Sequence, residues 1–342
     1  MTSLIGNAPV DGVDVAALLG IPISAEQERA VQAPLKPCAV IAGAGTGKTT
    51  VMAARVVWLV ASRLVSPEEI LGLTFTNKAT AELSERIESN LTRVGLLTSE
   101  QPRPTVATYD SFAGTLVNDY GAWDGISTGA HLITGARAYQ LAAEVVMGLD
   151  KAPLAATHMG PTFIAQAVVK LAGAMASHDA SPGKVRRADA RWRQMLLAAP
   201  TKRGGDRYAD IDKWLSRVDE REELLDLVAA YQNLKKERGL VEFGDRMVQA
   251  LHLVTHHPRV GEELRARYRV VLLDEYQDTS SAQADVLAAL FSGPDSAHGM
   301  GHPVMAVGDP LQAIYEWRGA AASNILEFHR RFPNKEGTPA QV

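Results

Sequence analysis

Residues 38–49 run Cys38-Ala39-Val40-Ile41-Ala42-Gly43-Ala44-Gly45-Thr46-Gly47-Lys48-Thr49. Cys38 to Ala42 are small or apolar and read as a buried strand, and Lys48 to Leu64 reads as a helix. A strand, a glycine-rich turn and a helix in that order are the context a phosphate-binding loop requires. Small residues let backbone amides approach phosphate oxygens, and the helix N-terminus adds a positive dipole. Lys48 is placed to reach the β- and γ-phosphates and Thr49 to bind Mg²⁺. Ala42 stands where the strict pattern has glycine, and it is small enough to leave the loop workable. The competing reading is a chance glycine-rich turn.

The same texture continues on both sides of a central stretch. Ile70 to Thr76 reads as a strand, Lys78 to Leu91 as a helix and Pro104 to Thr108 as a third strand. Val270–Leu273 and Val304–Val307 are short apolar strands further on. Strands alternating with helices imply βαβ units and a parallel sheet, hence an α/β fold. Arg269-Val270-Val271-Leu272-Leu273-Asp274-Glu275 is an apolar strand that ends in two acids. Such a strand buries itself and leaves its acids at the carboxyl edge of the sheet, where ligands bind in open α/β folds. There Asp274 can hold Mg²⁺ and Glu275 can act as general base toward a water. The alternative is a capping pair for a following helix.

Composition narrows the classes. The chain has 342 residues, 46% hydrophobic and 22% charged, which suits about two globular domains. Cys38 is the sole cysteine, so an internal disulfide framework, a four-cysteine zinc site and an iron–sulfur set are excluded. No apolar run approaches the roughly 20 residues of a membrane helix. Met1–Gly20 carries acids and no basic leader, so a cytoplasmic protein without membrane partners is expected. A net charge of −4 disfavours a globally basic DNA-coating protein but permits a local binding track.

The middle, about Tyr120 to Arg238, is rich in Ala, Leu and charge and reads as a helical insert. Leu141–Met147, Phe163–Met175 and Leu224–Leu234 are its amphipathic helices, with breaks at Ser181-Pro182-Gly183 and Arg203-Gly204-Gly205. Bases crowd between Lys184 and Arg217. A solvated helix face is the favoured reading, and a duplex- or partner-binding surface the other. His252 and His256 are four apart and His257 follows. Leu253 stands where a zinc protease needs Glu, so no metal is assigned there.

Five segments occur in the order found in UvrD/Rep-like superfamily 1 DNA helicases, and the chain resembles that family from Gln27 to Ala320. Ser24-Ala25-Glu26-Gln27 resembles its Q motif, and the phosphate loop its first motif. Gly72-Leu73-Thr74-Phe75-Thr76-Asn77-Lys78-Ala79 resembles motif Ia, and Asp274-Glu275-Tyr276-Gln277-Asp278 motif II. Val307-Gly308-Asp309-Pro310-Leu311-Gln312-Ala313-Ile314-Tyr315-Glu316-Trp317-Arg318-Gly319-Ala320 resembles motif III. Thr108-Tyr109-Asp110-Ser111-Phe112 resembles motif Ib, with Asp110 where the family usually has His. Pro310-Leu311 and Glu316 also depart from the family's usual residues. The phrasing of Ala53 to Val60 and of Val270 to Ser280 is most similar to AdnA-type subunits of actinobacterial helicase–nuclease machines. Leu240 to Asp245 resembles the segment by which the family's chain re-enters its core.

The resemblance implies an ATP site made of Gln27, Ala42, Gly43, Ala44, Gly45, Thr46, Gly47, Lys48, Thr49 and Thr50. Gln27 would read the adenine edge, because an amide donates and accepts at once. Lys48, Asp274, Glu275 and Gln312 would be catalytic, Gln312 as γ-phosphate sensor, with Mg²⁺ on Thr49 and Asp274. Thr74, Phe75, Asn77, Thr108, Ser111, Tyr315 and Trp317 would contact single-stranded DNA, the aromatics by stacking on bases.

The implied fold is a RecA-like phosphate-loop core formed by residues 1–118 and 239–342, with residues 119–238 as accessory helical insert. A second RecA-like domain and a nuclease domain are expected to be absent. The chain then reads as the N-terminal half of a 3′-to-5′ helicase of DNA repair or recombination, weak in hydrolysis alone. Its partners would be single-stranded DNA, single/double-strand junctions and a second helicase–nuclease subunit. A non-motor, nucleotide-dependent DNA-binding or assembly module is the alternative. A small-molecule kinase is a weaker one, because a kinase has no use for base-stacking aromatics.

Overall fold

The computed structural model describes residues 12–127, 129–150, 160–202, 205–314 and 320–342. The chain divides into two compact units, Met1–Asp124 with Ala250–Val342, and Gly125–Gln249. The first unit opens with α1 (Val15–Leu19), α2 (Ala25–Val31), β1 (Cys38–Ile41), α3 (Lys48–Ala61), β2 (Ile70–Thr74), α4 (Asn77–Arg93), β3 (Thr105–Thr108) and α5 (Tyr109–Tyr120). The second holds β4 (His131–Leu132), α6 (Gly135–Met147), α7 (Pro161–Ser177), α8 (Pro182–Leu197), α9 (Ala209–Glu237), β5 (Leu240–Val241) and the start of α10 (Phe243–His256). The first unit then resumes with α11 (Pro258–Arg267), β6 (Val270–Leu273), α12 (Ser281–Phe291), β7 (Val304–Gly308) and α13 (Ser323–Arg331).

In the first unit five strands form one parallel sheet in the order β1-β7-β6-β2-β3. β6 and β7 are buried at every position, which is why they read as unbroken apolar runs. Side chains alternate between faces. Val270 and Leu272 of β6 and Met305 and Val307 of β7 join Val51, Val56 and Leu59 of α3 and Leu83, Ile87 and Leu91 of α4 in one core. Beyond β6, Tyr276 packs edge-on against Phe328 and Phe332. Parallel strands bring all five carboxyl ends to one edge. That edge receives the phosphate loop, the acids after β6, the motif III turn after β7, and the loops after β2 and β3. The structure is thus the α/β, parallel-sheet fold expected from the sequence.

The second unit is helical apart from β4 and β5, which pair parallel over two residues each. Leu141, Ile164, Val168, Leu225 and Tyr231 anchor its core. Helix α8 lies along α9 through ion pairs: Arg186 with Glu222 and Asp226, Arg193 with Asp219, and Asp189 with Arg221. Two bases of the run, Arg186 and Arg193, are therefore neutralised by acids that the linear sequence places 26 to 40 residues away. Ser181 caps α8 and Pro182 opens it, so the break read at 181–183 is a helix start. Of the second break, Arg203 and Gly204 lie outside the described residues. In the first unit His252 Nδ1 and His257 Nε2 both meet the Asp124 carboxylate, at 2.9 and 2.6 Å, an acid far from them in sequence. Among the described residues no helix is long and apolar enough to cross a membrane.

Candidate active site

The phosphate loop leaves β1 and turns back into α3. Gly45 and Gly47 have φ of +74° and +82°, values that side chains other than glycine's rarely tolerate. Ala42 N–H still donates to Gly308 of the neighbouring strand, and the Thr46 hydroxyl closes the turn on the Gly43 carbonyl at 2.8 Å. Gln27 fastens the loop from outside. Its Oε1 accepts from Ser24 N–H, completing the capping box of α2, and its Nε2 donates to the Thr46 carbonyl at 2.8 Å. Buried Arg55 of α3 holds the other end of α2, donating to the carbonyls of Ala30, Val31, Ala33 and Pro34.

A cavity of about 330 Å³ opens over the loop. Gly43 to Gly45, Gly47 to Thr50, Arg86, Glu275 and Gln312 line it. Lys48 Nζ lies 3.4 Å from Glu275 Oε2 and 3.4 Å from Gln312 Oε1. Three segments far apart in sequence thus meet at one ammonium group. Glu275 takes φ +46°, a left-handed conformation unusual for a residue with a Cβ, and this turns the chain sharply after Asp274. Asp274 is buried, and its Oδ1 has no hydrogen-bond partner. Burial, and then the neighbouring Glu275 charge, raise its carboxyl to about 6. An orphaned oxygen on Asp274, a carboxyl close enough to Lys48 to feel its charge, and Thr49 in the lining of the phosphate-loop cavity are a donor set that fits a Mg²⁺ ion keeping several waters. Hydrogen bonds from Gln312 and from Leu311 N–H hold the Asp309 carboxyl below its ordinary range.

The residues read as DNA contacts divide. Phe75 is half-buried and Asn77 exposed, just past β2. Thr74 is fully buried, its hydroxyl bonded to Thr80 and to the Thr76 carbonyl. Thr108 caps α5 and donates to the exposed Ser111 hydroxyl at 2.8 Å. Asp110 accepts from the Gln283 amide at 3.0 Å. Tyr315 and Trp317 lie outside the described residues.

Three residues gain a place that the sequence reading did not give them. Arg86, on the third turn of α4, donates to Thr50 Oγ1 at 2.8 Å and lines the cavity. No local signal marks it among the charges of that helix. Tyr109 donates to the Asp274 carbonyl, and Gln277 bridges Glu275 to Asp309. Both belong to motifs quoted above, but their partners are distant in sequence.

The UvrD/REP helicase N-terminal domain matches residues 23–333. DNA helicase II of Rickettsia typhi is 28% identical over 313 residues, 91% of this chain and 40% of that relative. ATP-dependent DNA helicase UvrD1 of Mycobacterium tuberculosis is 28% identical over 317 residues, 91% of this chain and 36% of the relative. DNA helicase II of Escherichia coli K12 is 28% identical over 324 residues, 95% of this chain and 38% of the relative. The chain spans about two fifths of the length of these curated relatives. Its parallel sheet is that of a RecA-like helicase domain, and the chain belongs to the UvrD/REP helicase N-terminal domain family.

Proposed function

We propose that this chain is the ATP-binding and ATP-hydrolysing N-terminal part of a DNA helicase, moving 3′-to-5′ on single-stranded DNA in repair or recombination. The observation that carries the reading is the meeting of Lys48, Glu275 and Gln312 over the phosphate loop. Loop amides and Lys48 would bind the phosphates, and Gln27 the adenine. Phosphates that draw Lys48 toward themselves release Glu275 to take a proton from the attacking water. Gln312 would sense the γ-phosphate. Mg²⁺, held by Asp274 and Thr49 when bound, would neutralise charge on the phosphates.

Phe75, Asn77, Ser111, Tyr315 and Trp317 would carry the strand along the carboxyl edge, Thr74 and Thr108 shaping the loops behind them. The helical insert read over residues 119–238, which forms most of the compact unit Gly125–Gln249, would be an accessory subdomain. Single-stranded DNA and single/double-strand junctions are the proposed partners. The AdnA-like phrasing of Ala53 to Val60 adds a second helicase–nuclease subunit.

The test is nucleotide affinity and ATP turnover, with and without single-stranded DNA. Glu275→Gln is expected to bind nucleotide normally while turnover falls by roughly 10²–10⁴-fold, the usual weight of general-base catalysis. Lys48→Ala is expected to lose nucleotide. Full turnover by Glu275→Gln, or undiminished binding by Lys48→Ala, would overturn the reading.

A further inference from the structure

Gln277 does not line the cavity, yet every polar atom of its side chain is engaged. It is 1% exposed. Its Oε1 accepts from Asp309 N–H at 3.0 Å, and its Nε2 donates to Glu275 Oε2 at 2.7 Å and to Asp278 Oδ2 at 3.2 Å. The neighbouring strand leaves room for it. A Cβ at Gly308 would collide with Gln277 Oε1 and with Ile325.

These bonds close a ring. Lys48 contacts Glu275, Glu275 accepts from Gln277, Gln277 accepts from Asp309 N–H, the Asp309 carboxylate accepts from Gln312, and Gln312 accepts from Lys48. Asp278 adds a strut, its Oδ1 accepting from Ile314 N–H at 3.3 Å. The ring joins the phosphate loop, the end of β6 and the turn after β7. Gln277 ties Glu275 to the main chain at Asp309, and Asp278 makes a second tie to the main chain at Ile314.

We propose that Gln277 is a positioning residue: it orients the Glu275 carboxylate and makes the 309–314 segment follow the state of the nucleotide. This rests on the reading of the pocket as an ATP site. An amide suits the role because one rigid plane carries both a donor and an acceptor. Lys48 and Gln277 both contact Oε2 of Glu275, leaving Oε1 to face an attacking water. The left-handed φ at Glu275 sets where its side chain leaves the backbone, and Lys48 and Gln277 hold the carboxylate at its far end. When phosphates take Lys48 from the ring, the change passes through Gln277 to Asp309 N–H, beside the direct contact of Lys48 with Gln312.

The experiment compares the wild-type chain with Gln277→Met, Gln277→Glu and Lys48→Ala. It reads ATP affinity, ATP-induced protection of backbone amides from exchange, and the kcat and KM of DNA-stimulated turnover. Gln277→Met is expected to keep wild-type protection in β6 and β7, ATP affinity within about threefold, and ATP-induced protection at 43–50. It is expected to lose ATP-induced protection at 309–314, with kcat down about 100-fold at little-changed KM, the usual result of a misplaced group. Gln277→Glu keeps the acceptor for Asp309 N–H but sets a third carboxylate against Glu275 and Asp278. It should retain protection at 309–314 and still lose turnover, which decides the matter even if the Met variant does not fold.

Wild-type kcat together with transmitted protection in Gln277→Met would overturn the proposal. So would ATP binding to the wild-type chain without any response at 309–314. A wild-type chain that binds no ATP, or binding untouched by Lys48→Ala, would instead overturn the ATP-site reading itself.

Discussion

The Tyr109 phenol donates a 2.8 Å hydrogen bond to the main-chain carbonyl of Asp274, 165 positions along the chain. The bond crosses from the start of α5 to the acid after β6. Burial, then the Asp274 charge, push the phenol's pKa well above its ordinary value, so it stays a donor at any working pH. It also pins the peptide that precedes the left-handed Glu275.

Tyr109→Phe removes that donor and strands a carbonyl in the interior. The expected cost is about 1–3 kcal/mol of folding stability, the usual penalty for an orphaned buried acceptor. Turnover should fall more than nucleotide affinity, because the loosened peptide carries Glu275. Urea unfolding with a parallel turnover assay checks both. An unchanged midpoint would show that water or a shifted backbone replaces the phenol.

Arg55 is a second case of action at a distance. It is 1% exposed and spends its guanidinium on carbonyls at the end of α2 and just beyond. A cation there also opposes the negative end of the helix dipole. Arg55→Met keeps the apolar stem and removes every donor. It should cost about 3 kcal/mol, since hydrogen bonds from a charged donor weigh more than neutral ones. Faster amide exchange is expected across residues 25–33, with Gln27 loosened from the phosphate loop. Normal exchange there would sink the claim.

Gly47 tests the loop. Its φ is +82°, and a Cβ would sit 3.2 Å from Gln27 Nε2. Gly47→Ala therefore strains the backbone by about 1–2 kcal/mol and pushes the amide off the Thr46 carbonyl. Nucleotide affinity should drop at least tenfold, while β6 and β7 stay protected. A titration within twofold of wild type would mean the loop relaxes at little cost.

What the sequence disclosed was local chemistry. The strand from Val270 to Leu273 is legible because four apolar residues stand between Arg269 and Asp274, and it forms over those same residues. The phosphate loop is legible because its chemistry sits in one short segment. Helix α9 is read over Leu224–Leu234 but runs from Ala209 to Glu237. Its N-terminal half carries charges that pair with α8, which blurs the apolar period. Arg86, Tyr109 and Gln277 escape for another reason. Each acts through a partner brought near only by the stacking of parallel strands or of a helix on the sheet, and spacing along the chain holds no trace of that.

His302 gives a pH signature. Its Nε2 donates to the Tyr268 carbonyl at 2.9 Å, and its ring stacks on Phe291. Burial first, and the nearby Arg265 charge to a lesser degree, lower its pKa from 6.5 to about 4. Between pH 6.5 and 4 the unfolded chain therefore takes up a proton that the folded chain refuses. Unfolding is favoured by proton uptake, so this contribution to stability is present above pH 6.5 and is lost as pH falls through the window. Below pH 4 both states are protonated and the loss levels off. Between pH 7.5 and 5 the loss from this one group is about 2 kcal/mol. His302→Gln keeps an N–H donor for Tyr268 but cannot titrate. Urea unfolding of both proteins at pH 7.5 and pH 5 should show the variant losing less stability on acidification, by about that amount. Equal losses would mean that His302 opens to solvent and titrates normally in the folded chain.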